Sequence, residues 1–180
     1  MKRHFIATIS KPALIFGLGL LAVATQAQTN KISNPLVDYD TFLSHAADIG
    51  KLRSERRVTE EQFVQMSAQP GTIVFDARSD DKYKMLHIKG ARHLSFPEIT
   101  AAELGKVFPD KSTRVLIYCN NNFLNSPVAF ATKAASASLN IHTFNTLASY
   151  GYTNVYELGP LIDIKKSKLS FEGTLVANRQ

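Results

Sequence analysis

The chain is poor in cysteine: one residue, Cys119, in 180. A single thiol excludes an internal disulfide and any cysteine-built metal site within one copy of the chain. Histidine is also sparse, and His4, His45, His87, His93 and His142 share no ligand spacing, so no metal and no cofactor are expected. Strong charge is missing too. The formal net charge is +6, and Lys2, Arg3 and Lys11 account for half of it, leaving +3 once the N-terminal segment is set aside. That is too mild for a nucleic-acid partner, though it suits a small anion. Repeats, heptads and long apolar runs are absent. The apolar stretch near the N-terminus is short for a membrane span, which needs about 20 residues.

What that stretch does resemble is an export signal. "MKRH" is a short basic start, "PALIFGLGLLAVAT" an apolar centre, and "ATQAQ" offers small residues before a cleavage point after Ala27. Residues 1–27 are therefore expected to be a signal peptide, with the periplasm as destination and no stable membrane insertion afterwards. The remaining 153 residues suffice for one domain with a real core. Within them, 28–56 read as a lead-in and an accessory helix, 57–164 as the main domain, and 165–180 as a surface C-terminal extension. The charged "KLRSERR" at the end of the accessory helix reads as a solvated face.

The main domain alternates strand and helix signals. Thr59 with Gln62 forms a capping box ahead of Phe63 and Val64. Apolar, β-branched runs predict strands at Thr72–Phe75, around Arg92–Ser95, along "RVLIYC" and along "NVYEL". "SPVAFATKAA" predicts a helix with Ser126 as N-cap and Pro127 in its first turn. "LNIHTFNTLASYGY" predicts a second helical piece, closed by Gly151. Apolar strands without alternation, separated by helices, indicate an α/β fold around a mainly parallel sheet. Ligands in such sheets bind beyond the carboxyl ends of the strands, where Cys119 sits.

Two readings of Cys119 follow. It is a buried strand-end residue, cysteine being among the most buried types. Alternatively it is a nucleophile whose thiolate is favoured by amides of the loop and of a following helix N-terminus. Asn120, Asn121, Asn122, Phe123, Leu124 and Asn125 make up that loop. Sulfur so placed suits chemistry on sulfur, phosphorus or arsenic oxyanions.

"IVFDARSDDKYKMLHIKGARHLSF", then "VLIYC", then "GYTNVYEL" together resemble the rhodanese-like family over about residues 57–164. Asp76 and Arg78 match its Asp-x-Arg, Tyr83 its aromatic, and His87, Ile88, Gly90 and Ala91 its turn. The resemblance implies a five-stranded parallel sheet with helices on both faces. It also implies sulfurtransfer, with Cys119 taking sulfane sulfur from a small sulfur-containing anion and passing it to a thiol or other thiophilic acceptor. Asn120 to Asn125 are then the anion-binding loop. Asp76, Arg78 and Ser126 support it, the first two as an ion pair at its base, and His87 is structural. The loop departs from the family: "CNNNFLN" lacks Gly and Arg and runs seven residues before Ser126. Asn125 stands where the rhodanese-fold phosphatases and arsenate reductases carry arginine, so a bidentate phosphoryl clamp is missing. Arg92 and His93 are candidate sources of positive charge. An insertion over 136–145 is expected to lengthen the wall beside the site. The alternative is a catalytically degenerate module that binds an anion or a protein partner through the asparagines, Phe123 and Leu124.

Overall fold

Strand Thr72–Asp76 and strand Arg114–Tyr118 pair in parallel at the middle of the fold, Thr72 opposite Arg114 and Asp76 opposite Tyr118. Both carry apolar residues on successive positions, so both faces of the sheet must be covered. The computed structural model describes residue 32 and residues 34–177, and the expected signal peptide lies outside the described residues. All elements below belong to the unit that starts at Val37.

In chain order they are α1 (Tyr39–Glu55), β1 (Arg57–Val58), α2 (Glu60–Ser67), β2 (Thr72–Asp76), α3 (Asp80–Met85), β3 (His87–Ile88), β4 (Arg92–His93) and α4 (Ala101–Val107). Then come β5 (Arg114–Tyr118), β6 (Phe123–Leu124), α5 (Leu139–Ser149), β7 (Val155–Leu158), β8 (Ile162–Asp163), β9 (Phe171–Glu172) and α6 (Thr174–Ala177). The main sheet has the order β1-β7-β5-β2-β4, and every pairing in it is parallel. The expected α/β fold with five parallel strands is observed.

Side chains alternate across each strand. Val74, Leu116 and Tyr118 pack on one face, with Phe63 of α2 and with Leu86 and Ile88. Ile73, Phe75, Val115 and Ile117 pack on the other, with Leu104 of α4 and with Phe144 and Leu147 of α5. Ile49 and Leu52 of the accessory helix α1 lean on that second face. Burial of each large side chain contributes about 1.5–3 kcal/mol, so the sheet is held from both sides. Among the described residues, no helix is long and apolar enough to cross a membrane.

The capping box on α2 forms as read: Gln62 N–H donates to Thr59 Oγ1, and Thr59 N–H to Gln62 Oε1. Two expectations fail. No helix starts at Ser126. Residues 126–130 make a turn closed by Phe130 N–H on the Ser126 carbonyl, and 131–134 run without regular structure. The tail is not a surface extension either. Its strand β9 pairs antiparallel with β3, Leu169 is buried, and Leu175 and Val176 of α6 pack on the core.

The missing helix has a physical cause. A helix over 127–135 needs its own carbonyls as acceptors. Here other side chains take them: Lys82 Nζ bonds the Val128 carbonyl and Arg78 Nη1 the Ala129 carbonyl. Asn120 Nδ2 bonds the Ala131 carbonyl and Asn121 Nδ2 the Lys133 carbonyl, while Lys133 N–H returns a bond to Asn121 Oδ1. Phe130 is drawn into the core against Phe123. Tertiary contacts override a favourable local propensity.

Candidate active site at the end of the central strand

Cys119 directly follows β5, the central strand. By the alternation above, a residue after Tyr118 faces the α5 side of the sheet, and the structure places it there. The cysteine is 1% exposed, and its Sγ lies 3.4 Å from Ser138 Oγ, at the amino end of α5. It lines a cleft of about 270 Å³ with Arg53, Arg57, Asn121, Asn122, Ser138, Asn140 and Glu157 among the other walls. The helix end that faces the sulfur is therefore the amino end of α5, not one beginning at Ser126. An 11-residue helix places a partial positive charge there. Its N-cap Ser138 makes no side-chain cap bond. The segment read as an insertion supplies this wall: Ser138, Asn140 and Ile141 all line the cleft.

The asparagines behave differently from their expected role. Asn120, Asn121 and Asn122 form one 3-10 turn. Asn122 is the keystone. Its Oδ1 accepts from Cys119 N–H at 2.9 Å and from Asn140 Nδ2 at 3.0 Å, while its Nδ2 donates to the carbonyls of Leu158 (2.7 Å) and Pro160 (3.2 Å). The side-chain amides of Asn120 and Asn121 are committed to the 131–133 strap, as described. In the backbone, Asn122 N–H bonds the Cys119 carbonyl and Phe123 N–H the Asn120 carbonyl. These bonds organise the loop around Cys119. Phe123 is buried among Tyr118, Phe130 and Phe171, in β6 beside β8, so it neither covers the sulfur nor meets a partner. Leu124 is 45% exposed. Asn125 takes a left-handed φ of 63°, which asparagine tolerates better than most residues, and its side chain turns to Asp163.

Asp76 and Arg78 form a buried fork at the base of the loop. Arg78 Nε lies 3.0 Å from both carboxylate oxygens, and Nη2 lies 2.6 Å from Oδ2. The same guanidinium holds the carbonyls of Ala129 and Leu86 and stacks 4.3 Å over the Phe130 ring. Tyr118 donates its hydroxyl to Asp76 and accepts from Ile88 N–H. Burial, with Asp76 next to it, pushes the Tyr118 phenol well above its ordinary range. Ser126 contributes its carbonyl to the turn and caps no helix. His87 stacks on Tyr83, with Nδ1 at the Tyr83 carbonyl and Nε2 at Glu172. Arg92 bonds the Val107 carbonyl, and His93 bonds the Arg78 carbonyl and faces Asp80, so neither residue lines the cleft.

Positive charge reaches the cleft from two residues that the sequence placed on a solvated face. Arg53 of α1 grips Glu157 of β7 through Nε at 2.5 Å and Nη2 at 2.7 Å. Arg57 of β1 stands 3.6 Å from the same carboxylate and donates Nη2 to the Gly159 carbonyl. The signal for them lay elsewhere: "NVYEL" puts a carboxylate inside an apolar strand, and a buried carboxylate requires a cation.

The family model described as "Rhodanese-like domain" matches residues 59–159. No curated protein matches the chain. Among solved structures it is similar to a Bacillus halodurans protein, at 21% identity over 76% of this chain and 88% of that one, with a TM-score of 0.47. It is similar to a rhodanese with anions from E. coli, at 21% identity over 57% and 98%, with a TM-score of 0.39. A third likeness is to a thiosulfate sulfurtransferase from Pseudomonas aeruginosa, at 19% identity over 72% of this chain and 23% of that one, with a TM-score of 0.46.

Proposed function

The chain belongs to the rhodanese-like domain family, and on that premise we propose that it carries sulfane sulfur as a persulfide on Cys119. One observation carries the reading: the chain's only thiol lines a cleft that also holds the amino end of α5, Arg53 and Arg57. Both the helix end and the arginines favour anions over neutral forms. The Cys119 thiol loses its proton to solvent, and the sulfur attacks the outer sulfur of a donor such as thiosulfate. The donor S–S bond breaks, its electron pair leaving with sulfite, and Cys119 keeps one added sulfur. A thiophilic acceptor, cyanide or a thiolate, then attacks that sulfur, and the cysteine thiolate is released. Intact mass spectrometry after incubation with thiosulfate or inorganic polysulfide tests this. The expected result is a gain of one sulfur, lost on adding cyanide and absent from Cys119→Ser. No adduct from either donor overturns the reading.

A second reading is a non-catalytic module of the same fold that binds an anion or a partner protein. The observation favouring it is the closed state of the loop, whose side-chain amides are spent on main-chain carbonyls around a cysteine only 1% exposed. Native protein inert to iodoacetamide, with the urea-unfolded chain reactive, selects this reading.

We also propose export to the periplasm, on residues 1–27 alone. N-terminal sequencing of the periplasmic protein is expected to start at Gln28.

A further inference from the structure

Charge in the Cys119 cleft does not sum to a neutral cluster. Arg53, Arg57 and Glu157 line it together, two cations against one anion. Glu157 is 4% exposed in its side chain and needs compensation. Arg53 provides it fully, as a two-pronged partner at 2.5 and 2.7 Å, so its charge is spent. Arg57 is the surplus. Its Nε is 3.6 Å from the carboxylate, too long for a hydrogen bond, and Nη2 takes the Gly159 carbonyl. Guanidinium presents five N–H donors in a fixed fork, and Nη1 has no partner among the described residues. The side chain is 49% exposed and lines both this cleft and a neighbouring one walled by Glu60, Glu61 and Asp163. The loop, by contrast, brings no charge, and the side chains of Asn120, Asn121 and Asn122 each donate to a main-chain carbonyl.

We infer that Arg57 is the specificity residue of this cleft: it receives the anionic group of whatever reagent meets Cys119, in place of a charged cysteine loop. Arg53 is its positioning partner, holding Glu157 so that the carboxylate does not capture the second arginine. Residue 57 lies outside the stretch matched by the family model, 59–159, so the family does not supply this role. The inference rests on the sulfurtransfer reading only in that both place the chemistry at Cys119.

Paired alkylating reagents test it without any sulfur donor. Iodoacetate and iodoacetamide have nearly the same size and react alike: the thiolate displaces iodide and forms a thioether. They differ in one charge. The ratio of their second-order rate constants at Cys119 is measured for the wild type, Arg57→Gln and Arg57→Lys. A partly exposed charge-assisted hydrogen bond sets the scale at about five- to tenfold. The iodoacetate-to-iodoacetamide ratio is expected to fall by that factor in Arg57→Gln and to be partly kept in Arg57→Lys. Circular dichroism on each variant verifies the fold. A ratio unchanged within about twofold overturns the role of Arg57, as does a native thiol that neither reagent reaches. If the ratio falls while no persulfide ever forms, the anion site stands and the sulfurtransfer reading is lost.

Discussion

Arg53 and Glu157 lie 104 residues apart and meet through two hydrogen bonds of 2.5 and 2.7 Å. The pair fastens the accessory helix α1 to β7, beside Cys119. α1 itself has no buried residue, and its C-terminal half is held otherwise by Ile49 and Leu52 and, at its C-cap, by Arg56 on Tyr156 of β7. Removing one partner of a buried pair costs about 3–5 kcal/mol. Arg53 retains 25% exposure, which reduces the figure to about 2 kcal/mol. Arg53→Met is therefore expected to lower the unfolding free energy measured by urea titration by about that amount. Adding Glu157→Gln should restore part of it, because the buried carboxylate that Arg57 alone would then have to pair is gone. Strictly additive losses in the double variant rule out the coupling.

Asn122 ties the Cys119 N–H to Asn140 of α5 and to the carbonyls of Leu158 and Pro160, and its two ends are not interchangeable. Asn122→Ala strands the Cys119 N–H and the Leu158 carbonyl, at about 1–3 kcal/mol each. Asn122→Asp keeps the acceptor but turns a carboxylate oxygen towards the carbonyls of Leu158 and Pro160. It is expected to be the worse variant at neutral pH. Its stability should recover as the pH falls, since a protonated carboxyl can donate to one carbonyl. Denaturant midpoints at neutral and acidic pH measure this. A variant that weakens further on acidification contradicts the assignment of Asn122.

Much of the sheet was legible because its signals are local. "TIVFD" and "RVLIY" are apolar on both faces, and the Thr59–Gln62 box sits within four residues. Cys119 at a strand end was legible for the same reason. The segment after it was not. "SPVAFATKAA" is a fair helix by composition, and its competitors Arg78 and Lys82 lie about fifty residues earlier in the chain. The asparagines were read as anion donors because nothing nearby showed the strap they hold. Arg53 and Arg57 were assigned to solvent because their partner is Glu157, on the far side of the domain in sequence. The tail looked polar, yet Leu169, Phe171, Leu175 and Val176 find a core face that only the folded sheet creates.

That tail is clipped to α2 by Lys168 on Glu61, and by Glu60, which accepts from Ser167 Oγ and Lys168 N–H. The bond from Lys168 holds the Glu61 carboxyl down from 4.5 to about 2. A depressed carboxylate stabilises the fold above its unfolded value and loses that contribution as pH falls through the folded one. The clip is thus complete above pH 4.5 and fades between 4.5 and about 2. Both groups are at the surface, so salt should weaken it as well. An NMR titration of the Glu61 carboxyl is expected to show a low midpoint that returns towards 4.5 in Lys168→Met. An unchanged midpoint in that variant would falsify the clip.

At the alkaline end the governing group is Tyr118. Burial first, and Asp76 second, raise its phenol well above 10.0. An unfolded chain ionises this tyrosine near 10, whereas the folded one keeps the proton, so folding loses stability as pH rises past that value. Phenolate absorbance is expected to show one of the six tyrosines resisting ionisation until the protein unfolds. Tyr118→Phe should remove that resistant phenol and flatten the alkaline loss. At neutral pH it should cost about 1–2 kcal/mol, because Ile88 N–H loses its acceptor and Asp76 loses a donor. Arg78 still forks onto Asp76 in the variant, so the carboxylate stays paired and the loop base holds. If six phenols titrate freely in the folded wild type, the hydroxyl is not in the buried network that anchors the cysteine loop.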